Sequence, residues 1–267
     1  MAIKATADAR SDGDELADSE VPAAVVCARC GEADCAGCTH DETQSGVVAV
    51  VPWERPGATS IGRLWATARA ATLDAERFFE SLPDGPLAPA LRFAVVCETL
   101  AAIAMALAAL VPVAILAPAW VQHVALYEGA SAFRFVAIGV PFIALLLVAA
   151  HAAHGWALDH GARRSGARGA SARALRFGLY AAGWDLVIGP IGAIVLVTKE
   201  GPGVALSIGA FAVGLPGRSA RAFLRGCYCL EGLHAQPALR ASYVVAIGVT
   251  LFGAVAAIVA LLAILTL

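Results

Sequence analysis

The chain has 267 residues, 59% of them hydrophobic, and a mean hydropathy of +0.74. That is too apolar for a soluble domain of this length. Its formal net charge is −2, with 17 Arg, 2 Lys and 21 acidic residues, so nothing in the charge balance points to a nucleic-acid partner.

Residues 1–20 hold six acids and lack the apolar core of a signal peptide; they read as a disordered acidic tail. Residues 21–45 carry four of the seven cysteines, spaced Cys27-x2-Cys30-x4-Cys35-x2-Cys38. Two such pairs let four thiolates converge on one tetrahedral ion, the closed soft site that Zn²⁺ prefers. Gly31 and Gly37 ease the tight turns. Binding would order a segment too small to build a core of its own. A closed four-thiolate site is structural, because it leaves no position for water. The alternatives are His40 in place of one cysteine, an iron–sulfur cluster, uncommitted thiols, or disulfides, which a cytoplasmic placement disfavours.

Residues 46–58 contain Pro52, Pro56 and Gly57 and read as a linker. Residues 59–90 read as a cytoplasmic amphipathic helix, with Ser60 as its cap and Pro83 and Gly85 ending it. Ile61, Leu64, Trp65, Ala68, Ala71, Ala75, Phe78, Phe79 and Leu82 recur at three- and four-residue spacing. Such a helix either lies in the membrane surface or packs on the cytoplasmic ends of the spans.

Residues 91–267 read as a membrane domain. A crossing helix needs about 20 mostly apolar residues. Five runs qualify or nearly so: 93–117, 135–158, 177–198, 201–217 and 241–265, the fourth being short and Gly-rich. Arg163, Arg164, Arg168, Arg173 and Arg176 follow the second run; Arg218, Arg221, Arg225 and Arg240 follow the fourth. Pro118–Ala132 has no Lys or Arg, and the link after the third run has only Lys199. Because basic loops stay in the cytoplasm, this alternation predicts five spans, a cytoplasmic N-terminus and an extracytoplasmic C-terminus. The Arg- and Ala-rich composition fits a bacterial inner membrane protein.

Four acidic or histidine residues fall within the runs: Glu98, His151, His154 and Asp185. Ionisable groups in lipid are costly, so they face protein or water and pair. Glu98 and His151 are at similar depth, and together with His154 and Asp185 they could form a proton or ion site. Their alternative role is to hold helices together by hydrogen bonds. HAAHGWALDH at 151–160 clusters His151, His154, Asp159 and His160, but it lacks the Glu-x-x-His context of a metallohydrolase. No nucleophile elbow, phosphate loop or dinucleotide fingerprint occurs, so no catalytic residue is assigned. Cys227-x-Cys229 is a poor chelate and reads as a structural or lipidated thiol pair.

From about Trp53 onward the chain resembles the bacterial branch of the Yip (Ypt-interacting) family of five-span membrane proteins. The matching stretches are PWERPGATSIGRLWATARAATLDAERFFESLP with Phe78-Phe79, ALRFGLYAAGWDLVIGPIG with Tyr180, and LRGCYCLEGLHAQPALRA. Ala75 stands where a Pro often precedes the Phe pair, and the His-rich end of the second run is unusual. The cysteine segment lies outside this resemblance and looks like half of a B-box or zinc-ribbon module. The resemblance implies a non-enzymatic protein. Eukaryotic relatives act in vesicle traffic and contact small GTPases, machinery that a bacterium lacks.

The expectation is an all-α polytopic bundle of five transmembrane helices with a small N-terminal appendage holding structural Zn²⁺. It would serve as a scaffold recruiting an unidentified cytoplasmic protein. Arg163, Arg164, Arg168, Arg173, Arg218, Arg221 and Arg225 would face that partner or anionic lipid. A homo-oligomer is compatible with this. The rival is a small-solute, ion or proton transporter using Asp185 and Glu98.

Overall fold

The computed structural model describes residues 51–55, 60–189, 198, 201 and 203–266. The chain divides into two units, Met1–Val48 and Ala49–Leu267, and every described residue belongs to the second. The acidic tail and the four cysteines of the proposed zinc segment therefore lie outside the described residues.

All regular structure among the described residues is helical. A short 3₁₀ turn, Pro52–Glu54, precedes α1 (Ser60–Leu73), α2 (Ala75–Glu80), α3 (Leu87–Leu116), α4 (Pro118–Tyr127) and α5 (Gly129–Arg134). A π turn, Phe135–Gly139, leads into α6 (Val140–Arg164). There follow α7 (Ser171–Ala181), α8 (Gly183–Ile188), α9 (Val204–Tyr228) and α10 (Gly232–Thr266).

Among the described residues three helices are long and apolar enough to cross a membrane: Leu87–Leu116, Val136–Arg164 and Gly232–Gly253. At 1.5 Å per residue, α3 extends about 45 Å, more than a hydrocarbon core of about 30 Å. Leu107, Leu110, Val111, Leu145, Val244 and Ile247 point outward from these helices. A soluble protein would not display such a surface, whereas lipid would cover it.

Of the five spans read from the sequence, three correspond to helices of this kind among the described residues. The run 177–198 is not one continuous helix: it breaks between α7 and α8, and its continuation beyond Gly189 is largely outside the described residues. The run 201–217 continues as α9 through Arg218, Arg221 and Arg225 to Tyr228, and this helix is not among the three. Pro118–Arg134, read as an outer loop, is mostly helical.

The pre-membrane helix is also two elements, α1 and α2, parted at Asp74. Their apolar stripe is buried: Leu64, Ala68, Ala71, Ala75 and Phe79. α1 packs against α8 and α2 against α9, so this segment packs on the neighbouring helices of the same unit. Ile61, Trp65 and Leu73 nonetheless face outward, leaving an apolar fringe for a membrane surface.

α6 is the hub, packing on α3, α7 and α10. Its crossing with α7 is backbone to backbone. A Cβ on Gly155 would strike the carbonyl of Ala174, and one on Gly178 would strike the carbonyl of His151. Small residues at such crossings give close van der Waals packing, the main attraction between helices in lipid. Beside the crossing, Phe177 stacks on Phe223 at 4.6 Å and meets Phe79 edge-on at 4.6 Å.

Residues 46–58 include a docked piece. The Trp53 backbone N–H donates to Thr67 Oγ1 at 2.8 Å, and its indole N–H to the Pro89 carbonyl at 2.9 Å. Glu54 receives the wholly buried Arg176 at 2.9 and 3.2 Å, and the Tyr180 hydroxyl at 2.5 Å. Arg176 also donates to the Pro86 carbonyl at 2.7 Å. The linker reading holds at most outside Val51–Arg55.

Candidate functional site

Three helices bring Glu98, His151 and Asp185 together. His151 Nε2 is 3.1 Å from Glu98 Oε1 and 3.1 Å from Asp185 Oδ2. One potential ligand atom from each residue lies within 4.8 Å of the other two. Glu98 is fully buried in α3, His151 is nearly so in α6, and the Asp185 side chain on α8 is 41% exposed.

The surrounding helices explain how Asp185 arrives there. The break between α7 and α8 is held by α1. Thr72 Oγ1 reaches the carbonyls of Ala68 (2.7 Å) and Gly183 (3.3 Å), and the Trp184 indole donates to the Ala71 carbonyl at 2.8 Å. Asp185 follows directly, so the pre-membrane helix sets its position. His151 is fixed by the glycine crossing, since its carbonyl abuts Gly178.

His154, the fourth residue of the expected cluster, does not join. Three residues along a helix rotate a side chain by about 60° net, enough to aim it at a different neighbour. Its Nδ1 lies 3.3 Å from the Ser242 hydroxyl on α10, and its ring lies beside Phe177. Asp159, buried lower on α6, accepts from the Ala170 N–H (2.8 Å) and the Tyr228 hydroxyl (2.6 Å), and pairs with Arg163 (2.9 Å). His160 stacks on Trp156. The four polar residues of HAAHGWALDH thus point to four different places and do not form one site among themselves.

Most of the arginines read as facing lipid or a partner are engaged within the chain. Arg163 binds Asp159, Arg173 binds Asp84, and Arg225 binds Glu80 at 2.7 and 2.8 Å. Arg218 sits over the Phe211 ring at 4.8 Å. Arg164, Arg168 and Arg221 are exposed and stay open to the surroundings. Sequence reasoning missed the acidic partners Glu54, Glu80 and Asp84. Their only local signal was an acid in an otherwise apolar or Pro-rich stretch.

Cys227 is half-buried, with Arg173 Nη1 at 3.8 Å. Burial pushes its thiol up to about 11 despite that neighbour. Cys229 is exposed and has a left-handed backbone, φ 54°. This arrangement fits a structural role for Cys227 and gives no chelate.

No known family, characterised protein or solved structure matches this chain. What the geometry defines by itself is a helical, membrane-type protein with one carboxylate–imidazole–carboxylate cluster among its described residues.

Proposed function

We propose that this chain is a non-enzymatic integral membrane scaffold. Its tetracysteine segment would bind Zn²⁺ and recruit a cytoplasmic protein, and its membrane unit would anchor that segment. The observation carrying this reading is the docked turn at Trp53–Glu54. This turn is tied to the helices by two Trp53 hydrogen bonds, one from its backbone N–H and one from its indole, and by a buried Arg176–Glu54 pair.

The same ion pairs support an orientation. Glu54 with Arg176, Asp84 with Arg173, and Glu80 with Arg225 hold these six residues on one face. Between Asp84 and Arg173 the chain then crosses an even number of times, which α3 and α6 satisfy. Between Arg176 and Arg225 the number is again even, zero or two. Adding α10 gives three or five crossings, both odd. The Yip-like reading takes five, with the N-terminus cytoplasmic in a bacterial inner membrane and the C-terminus outside. Exposed Arg164, Arg168 and Arg221 on that face would meet anionic headgroups.

The test is affinity capture with the full chain, a form lacking residues 1–50, and a Cys27→Ser/Cys30→Ser variant. A partner lost from the latter two supports recruitment. The same proteins recovered from all three would refute it.

The Glu98–His151–Asp185 cluster favours a second reading, small-ion or proton transport. Proteoliposome flux above empty-vesicle leak, abolished by Glu98→Gln, would support it. Flux equal to leak across a panel of ions would sink it.

A further inference from the structure

Glu98 has no exposed side-chain surface, and neither of its carboxylate oxygens has a hydrogen-bond partner. His151 Nε2 is near enough for an ion pair, yet the hydrogen bond from this nitrogen runs to Asp185 Oδ2. One ring nitrogen carries at most one proton, so the imidazole can serve one carboxylate well and leaves the other bare. A bare carboxylate inside an apolar bundle is costly. Glu98 is thus a buried acid that has an ion-pair neighbour but no hydrogen bond of its own, aimed into a cluster with two further donor atoms.

A single cation can do what a single proton cannot. The three donor atoms lie within 4.8 Å of one another, with His151 Nε2 3.1 Å from each oxygen. Neighbouring ligands bound at about 2.0–2.2 Å around one ion stand about 3–3.6 Å apart, so the two 3.1 Å separations fit as they stand and the two carboxylate oxygens need only draw in around the ion. Two carboxylates balance a double positive charge, and neutral imidazole supplies a borderline nitrogen. Mixed imidazole and carboxylate donors fit Zn²⁺, Mn²⁺, Fe²⁺ or Co²⁺ better than Mg²⁺ or Ca²⁺, which favour oxygen alone. We propose that Glu98, His151 and Asp185 bind one divalent first-row transition cation, with water completing its coordination. The partly exposed Asp185 is the side from which ion and water enter. The ion would also staple α3, α6 and α8. This site is independent of the tetracysteine segment and of the scaffold reading.

Co²⁺ titrated into the purified full-length protein in detergent is the test. A variant with Cys27, Cys30, Cys35 and Cys38 all changed to Ser removes the tetracysteine site, whose charge-transfer absorption would otherwise dominate. This protein is expected to take up a single Co²⁺ with d–d absorption alone and to unfold at a higher temperature when loaded. Added Glu98→Gln or His151→Ala should weaken uptake about tenfold or more. Asp185→Asn, at a partly exposed position, should do the same and keeps the test decisive if either buried variant misfolds. No uptake by the folded four-Ser protein would overturn the proposal. So would uptake unchanged in both Asp185→Asn and Glu98→Gln, since the cluster would then hold only a shared proton.

Discussion

Glu54 and Arg176 stand 122 residues apart in the chain and meet at 2.9 Å, with the guanidinium wholly buried. Tyr180 adds its hydroxyl to the same carboxylate, and the Arg176 guanidinium lies 5.6 Å from the centre of the Tyr180 ring. This knot ties the start of the described chain to α7. Removing one partner of a buried pair strands the other charge, at a cost of about 3–5 kcal/mol. Glu54→Ala should therefore lower the unfolding temperature of the detergent-solubilised protein sharply, and Glu54→Ala/Arg176→Met should recover part of the loss. A single-variant cost below about 1 kcal/mol, the range of exposed pairs, would show the knot to be ornamental.

The α6–α7 crossing makes a separate demand. Any side chain at Gly178 meets the His151 carbonyl. Gly178→Val is expected to force the helices apart, destabilise the fold by about 1–3 kcal/mol as overpacking does, and displace His151. Detergent unfolding curves that overlay wild type would contradict the crossing.

Two neighbouring cysteines should differ in reactivity. With its thiol pushed up to about 11, Cys227 is about one part in a thousand thiolate at pH 8, and only the thiolate alkylates. Exposed Cys229 should be modified first by iodoacetamide in the folded protein, with Cys227 following only at higher pH or on unfolding. Mass spectrometry showing equal rates at pH 8 would argue against the burial of Cys227.

For the tetracysteine segment, the purified full chain should carry zinc that is lost in Cys27→Ser/Cys30→Ser. Elemental analysis finding neither zinc nor iron, before and after substitution, would remove the metal from the scaffold proposal.

The helical class and the three helices long and apolar enough to cross a membrane were legible because length and hydropathy are read directly from the residues. Glu98 and His151 were matched by depth alone, and α3 and α6 do bring them together. Asp185 joined them as read, but the route was hidden. It depends on the α7–α8 break, held by Thr72 and Trp184 against carbonyls of α1, and no local pattern announces that. His154 was misplaced because shared depth on a helix is not a shared azimuth. The arginines were read as a sidedness signal, and their partners within the chain were not legible. Glu54, Glu80 and Asp84 precede the first span while Arg176, Arg225 and Arg173 follow later ones, and a charge alternation says nothing about which acid each will meet.

The central claim is that α3 and α6 thread a bilayer so that the ion-paired residues share one face. Reporter fusions after residues 125, 168 and 230 test it most directly. The account predicts that 168 and 230 report the cytoplasm and 125 reports the opposite compartment. Finding 125 and 168 on the same side would contradict it.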